Sequence, residues 1–314
     1  MLDSVIGVLP ETFLRPFYPY DGRNAPRRAF AAPVSLLEFS NLSDDDTGAR
    51  RWQETNDSVR VEDHGRVRLL TIDRPDALNA MNNTVFAGIG DALAAARTAE
   101  ATAVVVITGT GRAFSAGQDL AEMQAGLAVD GEHQFPRMLE QLTSFNKPLI
   151  AAVNGLAIGI GMTMLAHCDL VFMAADARLK TPFPQLGLAP EAGSSYTFIQ
   201  RMGWQNAAYT LMSGRWFSAA QYHEMGLAWR VTEPEDLLPE AMTVAEELAA
   251  NPIPSLIATK ELLLGSSGRP TDAWAAHERE IAAYGHLLGA AANQEAVAAF
   301  IEKREPDFTR IPGI

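Results

Sequence analysis

Residues 157–198 read AIGIGMTMLAHCDLVFMAADARLKTPFPQLGLAPEAGSSYTF, and this stretch carries the most information about how the chain folds and acts. Gly159 and Gly161 open it, followed by a run with helical spacing and then an apolar strand pattern. Glu191 is the only acidic residue within residues 177–223. A lone carboxylate in a long, apolar, glycine-marked stretch suggests a site that transfers a proton with a single base.

Length and composition place the chain among ordinary globular proteins. Its 314 residues can bury a full core, and the content of 47% hydrophobic and 20% charged residues is typical of this class. No segment approaches the roughly 18 apolar residues that span a bilayer. The first residues, MLDSVIGVLP, lack the features of a secretory signal. We therefore expect a cytoplasmic protein without a membrane span, and the single cysteine, Cys168, is predicted to be a buried thiol.

The charge and the histidines exclude two classes of partner. A formal net charge of −13 argues against non-specific nucleic-acid binding, because that binding needs basic surface to displace counterions. None of the six histidines is paired at helical spacing, so the sequence predicts no metal site. We expect no nucleic-acid partner and no metal.

The chain divides into an unusual start and a regular body. Residues 1–57 hold five prolines and an acidic run at 44–46, and we predict an irregular N-terminal extension. Beyond it, apolar strand patterns alternate with helical ones, which predicts an α/β fold with βαβ-type units. The predicted strands are Val59–Asp73, Ala103–Thr108, Leu149–Val153, Leu170–Ala174 and Trp229–Val231. Asn82, Asn83 and Thr84 are predicted to cap a helix that buries Val85, Phe86, Ile89 and Leu93.

After Glu191 the pattern is mainly helical. Gly214, Gly226 and Gly265 stand where helices are expected to stop. We predict a core domain at residues 58–250 and a C-terminal helical region at residues 251–314. The predicted helical segments are 192–203, 205–213, 218–225, 235–250, 254–264, 271–288 and 292–303.

A first glycine-marked turn, residues 109–120, reads GTGRAFSAGQDL and follows a predicted strand. Its backbone N–H groups could donate to an anion or a carbonyl at the carboxyl end of the sheet, or it is a plain strand-to-helix turn. It lacks the spacing of a dinucleotide fingerprint and of a P-loop. Asp119 is interpreted as a structural hydrogen-bond acceptor.

A second turn, residues 154–163, reads NGLAIGIGMT and would expose the Ile160 N–H. Donors from two separate turns would form an oxyanion hole, worth about 3–4 kcal/mol per donor. The alternative is close packing of a helix on the sheet.

Glu191 is predicted in the first turn of a helix. It is either a residue that stabilises the helix dipole, worth about 0.3–1 kcal/mol, or a base. The helix N-terminus would lower its pKa and an apolar pocket would raise it.

Taken in this order, the stretches resemble the crotonase superfamily, also called the enoyl-CoA hydratase/isomerase family, over roughly residues 58–310. The resemblance implies a spiral of ββα units followed by C-terminal helices that build a homotrimer or hexamer. It also implies an acyl-CoA thioester substrate and no cofactor, because the CoA belongs to the substrate. The markers are Arg74-Pro75, Ala77-Leu78-Asn79-Ala80, Phe114 to Leu120, Val153-Asn154-Gly155, Gly159, Pro182 and Lys303-Arg304.

The resemblance also implies the site residues. The backbone N–H groups of Gln118 and Ile160 would polarise the thioester carbonyl. The implied substrate- and CoA-binding residues are Ala77, Leu78, Ala116, Gly117, Asp119 and Leu120.

Departures from the family pattern decide the expected reaction. Hydratases of the family carry two glutamates, and Thr163 and Phe183 stand at the matching positions here. Residues 181–198 are instead similar to the peroxisomal-type Δ3,Δ2-enoyl-CoA isomerases, in which the catalytic glutamate stands where Glu191 stands. That similarity implies a single-glutamate proton shuttle through a thioester dienolate in fatty-acid β-oxidation. A hydratase or thioester hydrolase that uses another residue, and a non-catalytic protein that binds acyl-CoA or a partner, remain open at this point.

Overall fold

The computed structural model describes residues 58–119, 122 and 133–311. The predicted extension at 1–57 and Leu120 lie outside the described residues. The strands are β1 (Val59–His64), β2 (Val67–Ile72), β3 (Val104–Gly109), β4 (Ala113–Ser115), β5 (Leu149–Val153), β6 (Leu156–Ile158), β7 (Leu170–Ala174), β8 (Arg178–Lys180), β9 (Trp216–Ser218) and β10 (Arg230–Thr232).

The other regular elements of the described chain are α-helices and four short 3₁₀ turns. The helices are α1 (Asn83–Thr98), α2 (Phe135–Ser144), α3 (Ile160–Thr163), α4 (Ser194–Ser213), α5 (Ala219–Met225), α6 (Leu237–Ala249), α7 (Ile253–Ser267), α8 (Arg269–Leu287) and α9 (Ala291–Glu302). The Asn82 side chain caps α1 by accepting the Val85 N–H at 3.0 Å, and the predicted apolar face of this helix is buried.

Two sheets organise the described chain. The first has the order β1-β2-β3-β5-β7-β10, with only β1 and β2 antiparallel among the strands described. The second has the order β4-β6-β8-β9, in which β4, β6 and β8 run parallel. β5 is a continuous apolar run that is buried along its whole length, as expected of a strand covered on both faces. β2 is buried along its whole length too, including Arg68, which pairs with Asp63 at 2.8 Å.

From β3 to β8, consecutive strands alternate between the two sheets. β3 leads into β4, β5 into β6, and β7 into β8, so each of these three first-sheet strands is followed directly by a second-sheet strand. This arrangement is the predicted spiral of ββα units, and that prediction is confirmed. The carboxyl ends of β4, β6 and β8 consequently gather at one edge of the second sheet, where parallel strands expose their terminal amides.

Three predictions about the elements are wrong in detail. Val59–Asp73 is a hairpin rather than one strand, because Gly65, with φ +61°, reverses the chain between β1 and β2. Gly265 lies inside α7, which ends at the left-handed Gly268 instead. The last strand lies one residue later than predicted, at β10. The break predicted between the helical segments 192–203 and 205–213 is present, because Gly203, with φ +75° and ψ +166°, interrupts α4 there.

The C-terminal helices cover the spiral. α8 packs against α4, α2 and α7, and the described chain forms one compact unit, so a domain boundary at residue 250 stays a prediction. Cys168 is buried as predicted, and burial raises the pKa of its thiol to about 12. Among the described residues no helix is long and apolar enough to cross a membrane.

Candidate active site

Two glycine turns meet at the carboxyl ends of β4 and β6. Gly117 follows β4 with φ +93°, and Gly159 follows β6 with φ +53°. A Cβ on Gly117 would lie 2.8 Å from the Ile158 carbonyl oxygen, and a Cβ on Gly159 would lie 4.0 Å from the Gly117 Cα. Both turns therefore need the small residue, and each turn packs directly on the other.

The residues after these glycines present free amides. The neighbouring N–H groups are used: that of Gly159 donates to the Lys180 carbonyl at 3.0 Å, and that of Asp119 donates to the Met81 carbonyl at 3.0 Å. No residue in the described part of the chain accepts a hydrogen bond from the N–H of Gln118 or of Ile160. Because backbone donors away from bulk water are nearly always paired, these two are available to an oxygen of a bound ligand.

The Glu191 carboxyl faces this pair of turns. Its Oε1 atom lies 3.7 Å from the position that a Cβ on Gly159 would occupy. No described residue donates a hydrogen bond to this carboxyl, which keeps partial access to solvent. Burial, together with the nearby negative charge of Glu280, raises the pKa of Glu191 to about 8. An acid without donors, next to two free amides, is suited to exchange a proton with a molecule held by those amides.

The turn that carries Glu191 precedes α4, so the prediction that Glu191 lies in the first helical turn is wrong. Ala192 and Gly193 adopt left-handed conformations with φ of +60° and +69°, which delays the helix until Ser194. The Ser194 hydroxyl donates to the Glu191 carbonyl at 2.6 Å. The acid is therefore set on a strained turn of the kind that clusters at functional sites.

His167 contacts the same turn through the Ala192 carbonyl. Its Nε2 lies 2.8 Å from the Ala192 carbonyl oxygen, and burial lowers the pKa of the imidazole to about 4. The ring is therefore neutral at physiological pH and donates its Nε2 proton to that carbonyl. The sequence analysis did not predict this hydrogen bond.

The predicted CoA-binding residues that the structure describes also come together. The Ala116 N–H donates to the Leu78 carbonyl at 2.9 Å, which places Ala77 and Leu78 beside the first glycine turn. Ala77, Leu78 and Ala116 keep partial exposure. Asp119 is engaged in structure, as predicted for an acceptor: its Oδ2 pairs with Arg74 at 3.0 Å. Its binding role, and that of Gly117, stays a prediction.

Asn79 holds that segment in place. It is fully buried with φ +56°, and its side-chain amide donates to the carbonyl oxygens of Thr110 and Ala113. The Arg74 N–H donates to its side-chain oxygen at 2.8 Å. The asparagine thus connects the 74–79 turn to the start of β4, and its short polar side chain tolerates the left-handed conformation.

The two positions matching the hydratase glutamates hold no acid. Thr163 is fully buried, and its Oγ1 has no hydrogen-bond partner among the described residues. Phe183 is 5% exposed. Neither side chain can take up or release a proton near neutral pH, which leaves Glu191 as the described acid that faces the free amides.

Sequence reasoning missed two residues of α8. The Glu280 carboxylate accepts the N–H groups of Gly193 and Ser195. Burial, and after it the nearby charge of Glu191, raises the pKa of the Tyr284 phenol. More than 80 residues separate Glu280 from the turn that it contacts. One feature of the sequence could have indicated Glu280: it stands four residues after Ala276, which places an acid on the apolar, buried face of a helix.

Known proteins share this architecture. Residues 62–310 match the family described as Enoyl-CoA hydratase/isomerase. The chain belongs to this family. The 2,3-dehydroadipyl-CoA hydratase of Escherichia coli is 38% identical over 244 residues, which cover 77% of this chain and 95% of that protein. The 1,2-epoxyphenylacetyl-CoA isomerase of the same organism is 32% identical over 251 residues, covering 77% of this chain and 95% of that protein.

Solved structures of the family agree with the fold. The enoyl-CoA hydratase/isomerase of Pseudoalteromonas atlantica superposes with a TM-score of 0.77 at 34% identity, covering 80% of this chain and all of that one. An enoyl-CoA hydratase of Mycobacterium marinum, at 48% identity and TM-score 0.64, covers 66% of this chain and 99% of that chain.

Membership makes the protein an acyl-CoA-processing enzyme of the enoyl-CoA hydratase/isomerase family. The crotonase-type spiral, predicted from the resemblance, is confirmed by the same structures. The relatives named above include both hydratases and isomerases, so the likeness to the peroxisomal-type isomerases stays a prediction.

Proposed function

We propose that this enzyme is a Δ3,Δ2-enoyl-CoA isomerase that uses Glu191 as its base. The observation that carries the proposal is the position of the Glu191 carboxyl, whose Oε1 lies 3.7 Å from where a Cβ on Gly159 would stand, beside the N–H groups of Gln118 and Ile160, for which no described residue is an acceptor. One base is sufficient for an allylic shift, because the proton that leaves one carbon returns to another and no water is consumed.

The chemistry follows from this arrangement. The thioester oxygen of a 3-enoyl-CoA accepts hydrogen bonds from the N–H groups of Gln118 and Ile160. The Glu191 carboxylate removes a C2 proton, and the electron pair moves into a dienolate whose negative charge rests on that oxygen. The protonated Glu191 then delivers the proton to C4, which forms the C2–C3 double bond and regenerates the carboxylate.

Electrostatics favour both halves of the reaction. A carboxyl with a pKa of about 8 is a stronger base than an ordinary glutamate, and it gives the proton back to carbon without help from another acid. Each oriented amide stabilises the developing oxyanion by about 3–4 kcal/mol. These donors belong to two packed glycine turns, so they need little reorganisation as charge develops.

Hydration is the second candidate, because the 38% identical relative is named a hydratase. Addition of water requires one group to activate the water and one to supply the α-proton. Thr163 and Phe183 cannot serve, so Glu191 would have to perform both steps. Isomerisation needs only one carboxyl, which moves one proton between two carbons, and it therefore fits the described residues better.

Two substrates distinguish these reactions. Purified enzyme is incubated separately with a 3-enoyl-CoA and a 2-enoyl-CoA, and products are followed by chromatography and mass spectrometry. The proposal predicts conversion of the 3-enoyl to the 2-enoyl ester without a change in mass. Dominant conversion of the 2-enoyl ester to its hydrate, release of free CoA, or binding without turnover would each contradict the proposal in favour of hydratase, hydrolase or binding protein.

A further inference from the structure

A second acid, which is buried, contacts the backbone that directly follows Glu191. Glu280, on α8, is 5% exposed. Its Oε2 accepts the Gly193 N–H at 2.7 Å, and its Oε1 accepts the Ser195 N–H at 2.7 Å. Both oxygens accept backbone N–H groups, so the two hydrogen bonds favour the ionised carboxylate.

We infer that Glu280 is the positioning residue that holds the Glu191 carboxyl against the paired glycine turns. The inference rests on the proposed function of Glu191. Glu280 itself contacts no reacting atom in this scheme; it acts through the backbone of the residues that follow Glu191.

The geometry of the turn explains why such a residue is needed. Ala192 and Gly193 are left-handed, a conformation that costs a non-glycine residue such as Ala192 free energy and persists only when its surroundings impose it. The first N–H groups of a helix have no acceptor within the helix, and at α4 Glu280 accepts that of Ser195. The two hydrogen bonds thus bind the start of α4 to α8.

Packing adds a second restraint. A Cβ on Gly193 would lie 2.5 Å from the Ala273 carbonyl oxygen, so this turn lies directly on the α8 backbone. Ala273, His277 and Glu280 are buried members of one face of α8, spaced four and three residues apart. This face of α8 therefore fixes the position and orientation of the turn that carries Glu191.

The burial of Glu191 and the negative charge of Glu280 both raise the pKa of Glu191. Among the described residues, Glu280 receives two backbone N–H donors and Glu191 receives none. Burial raises the pKa of both acids, and the donors from Ser195 and Gly193 oppose this rise at Glu280 alone. The negative charge on Glu280 therefore helps to raise the pKa of Glu191. The other ionisable groups around the pair are Tyr284 beside Glu191, Arg279 beside Glu280, and the neutral His167 and His277.

Three variants of the full chain test this role. E280Q removes the charge and one of the two acceptors, while E280D keeps the charge but withdraws the oxygens by one methylene. E278Q is the matched control, because Glu278 is exposed on the same helix and makes no hydrogen bond or ion pair with any described residue. Each is measured for kcat and KM, and for Glu191 titration by carboxyl-labelled glutamate NMR, the signal being assigned by its loss in E191Q.

The inference predicts a fall in kcat of about 10- to 100-fold for E280Q and E280D, with KM within about twofold of wild type. The Glu191 titration should move to lower pH in E280Q and less so in E280D, and E278Q should match wild type. A folded E280Q with wild-type kcat and an unchanged titration overturns the inference. If E280Q gives no cooperative melt, wild-type kcat in E280D overturns it instead.

The titration separates this inference from the proposed function. It needs no substrate, so it remains decisive if the enzyme isomerises none of the enoyl-CoA esters tried. In that case a shift of the Glu191 signal in E280Q still supports the positioning role, and an unshifted signal still removes it.

Discussion

At the scale of single residues, the environment of Glu191 determines its chemistry. Burial and the nearby charge of Glu280 disfavour the ionised form of this carboxyl, and no described residue donates a hydrogen bond to it. Sequence reasoning could name this residue from its isolation between other acids. It could not give the direction of the pKa change, because that depends first on burial in the folded chain and then on Glu280, which is distant in the sequence.

The first prediction concerns the pH dependence of catalysis. The reactive form is the carboxylate, so activity should be lost as pH falls below the raised pKa of about 8. We expect kcat/KM for a 3-enoyl-CoA to rise about tenfold per pH unit below this value and to level off above it. Steady-state rates from pH 6 to 9.5, corrected for spontaneous thioester hydrolysis, measure the profile. A plateau already reached at pH 6 would contradict it.

At the scale of elements, the site depends on short strands and the glycines after them. β4, β6, β8 and β9 contain three residues each, too few for any periodicity to appear, so the second sheet was not predicted as such. The long apolar runs of the first sheet were predicted correctly, because burial on both faces leaves an uninterrupted signal. Both glycine turns were recognised in the sequence. Their contact could not be predicted, because it follows from the pairing of β4 with β6 in the second sheet.

Gly117→Ala tests the first glycine turn. The added Cβ would lie 2.8 Å from the Ile158 carbonyl oxygen at a residue with φ +93°, so the turn must shift and the Gln118 amide with it. We expect kcat to fall about 100-fold, the order found when one oxyanion donor is lost. The strain should lower the free energy of unfolding by about 1–3 kcal/mol, measured by urea unfolding.

Gly265→Ala is the matched control for that substitution. Gly265 lies inside α7, is exposed, and has no atom within 4 Å of an added Cβ. We expect kcat to be unchanged and the free energy of unfolding to rise by about 0.5–1 kcal/mol, because alanine restricts the unfolded chain. Equal kcat in the two alanine variants would show that the first glycine turn has no part in catalysis.

At the scale of the whole molecule, family similarity and the described fold cover the same region. The matched residues, 62–310, exclude the segment at 1–57, and the hydratase relative is covered over 95% of its length by 77% of this chain. The predicted homotrimer or hexamer stays a prediction. Exposed Trp204, Met212, Phe300 and Ile301 on the single chain are compatible with such contacts.

Removal of residues 1–57 should leave catalysis intact. All the site residues that the structure describes lie after residue 73, and the family match begins at residue 62. We expect the shortened protein to keep kcat within about twofold of the full chain, because terminal segments outside a conserved fold tolerate deletion. Side-by-side kinetics and thermal melts measure this. A folded, shortened protein with a large loss of kcat would give the extension a catalytic role.

The substitution Glu191→Gln tests most directly the claim that Glu191 carries the proton. Its control is Glu224→Gln, the same change at the next acid along the chain, which is exposed. We measure kcat for conversion of a 3-enoyl-CoA to the 2-enoyl ester, and the Kd of a CoA ester by calorimetry. We predict that E191Q lowers kcat by about 1,000-fold or more, with Kd within about twofold and E224Q unaffected. A folded E191Q that keeps more than about a tenth of the wild-type kcat would contradict the account.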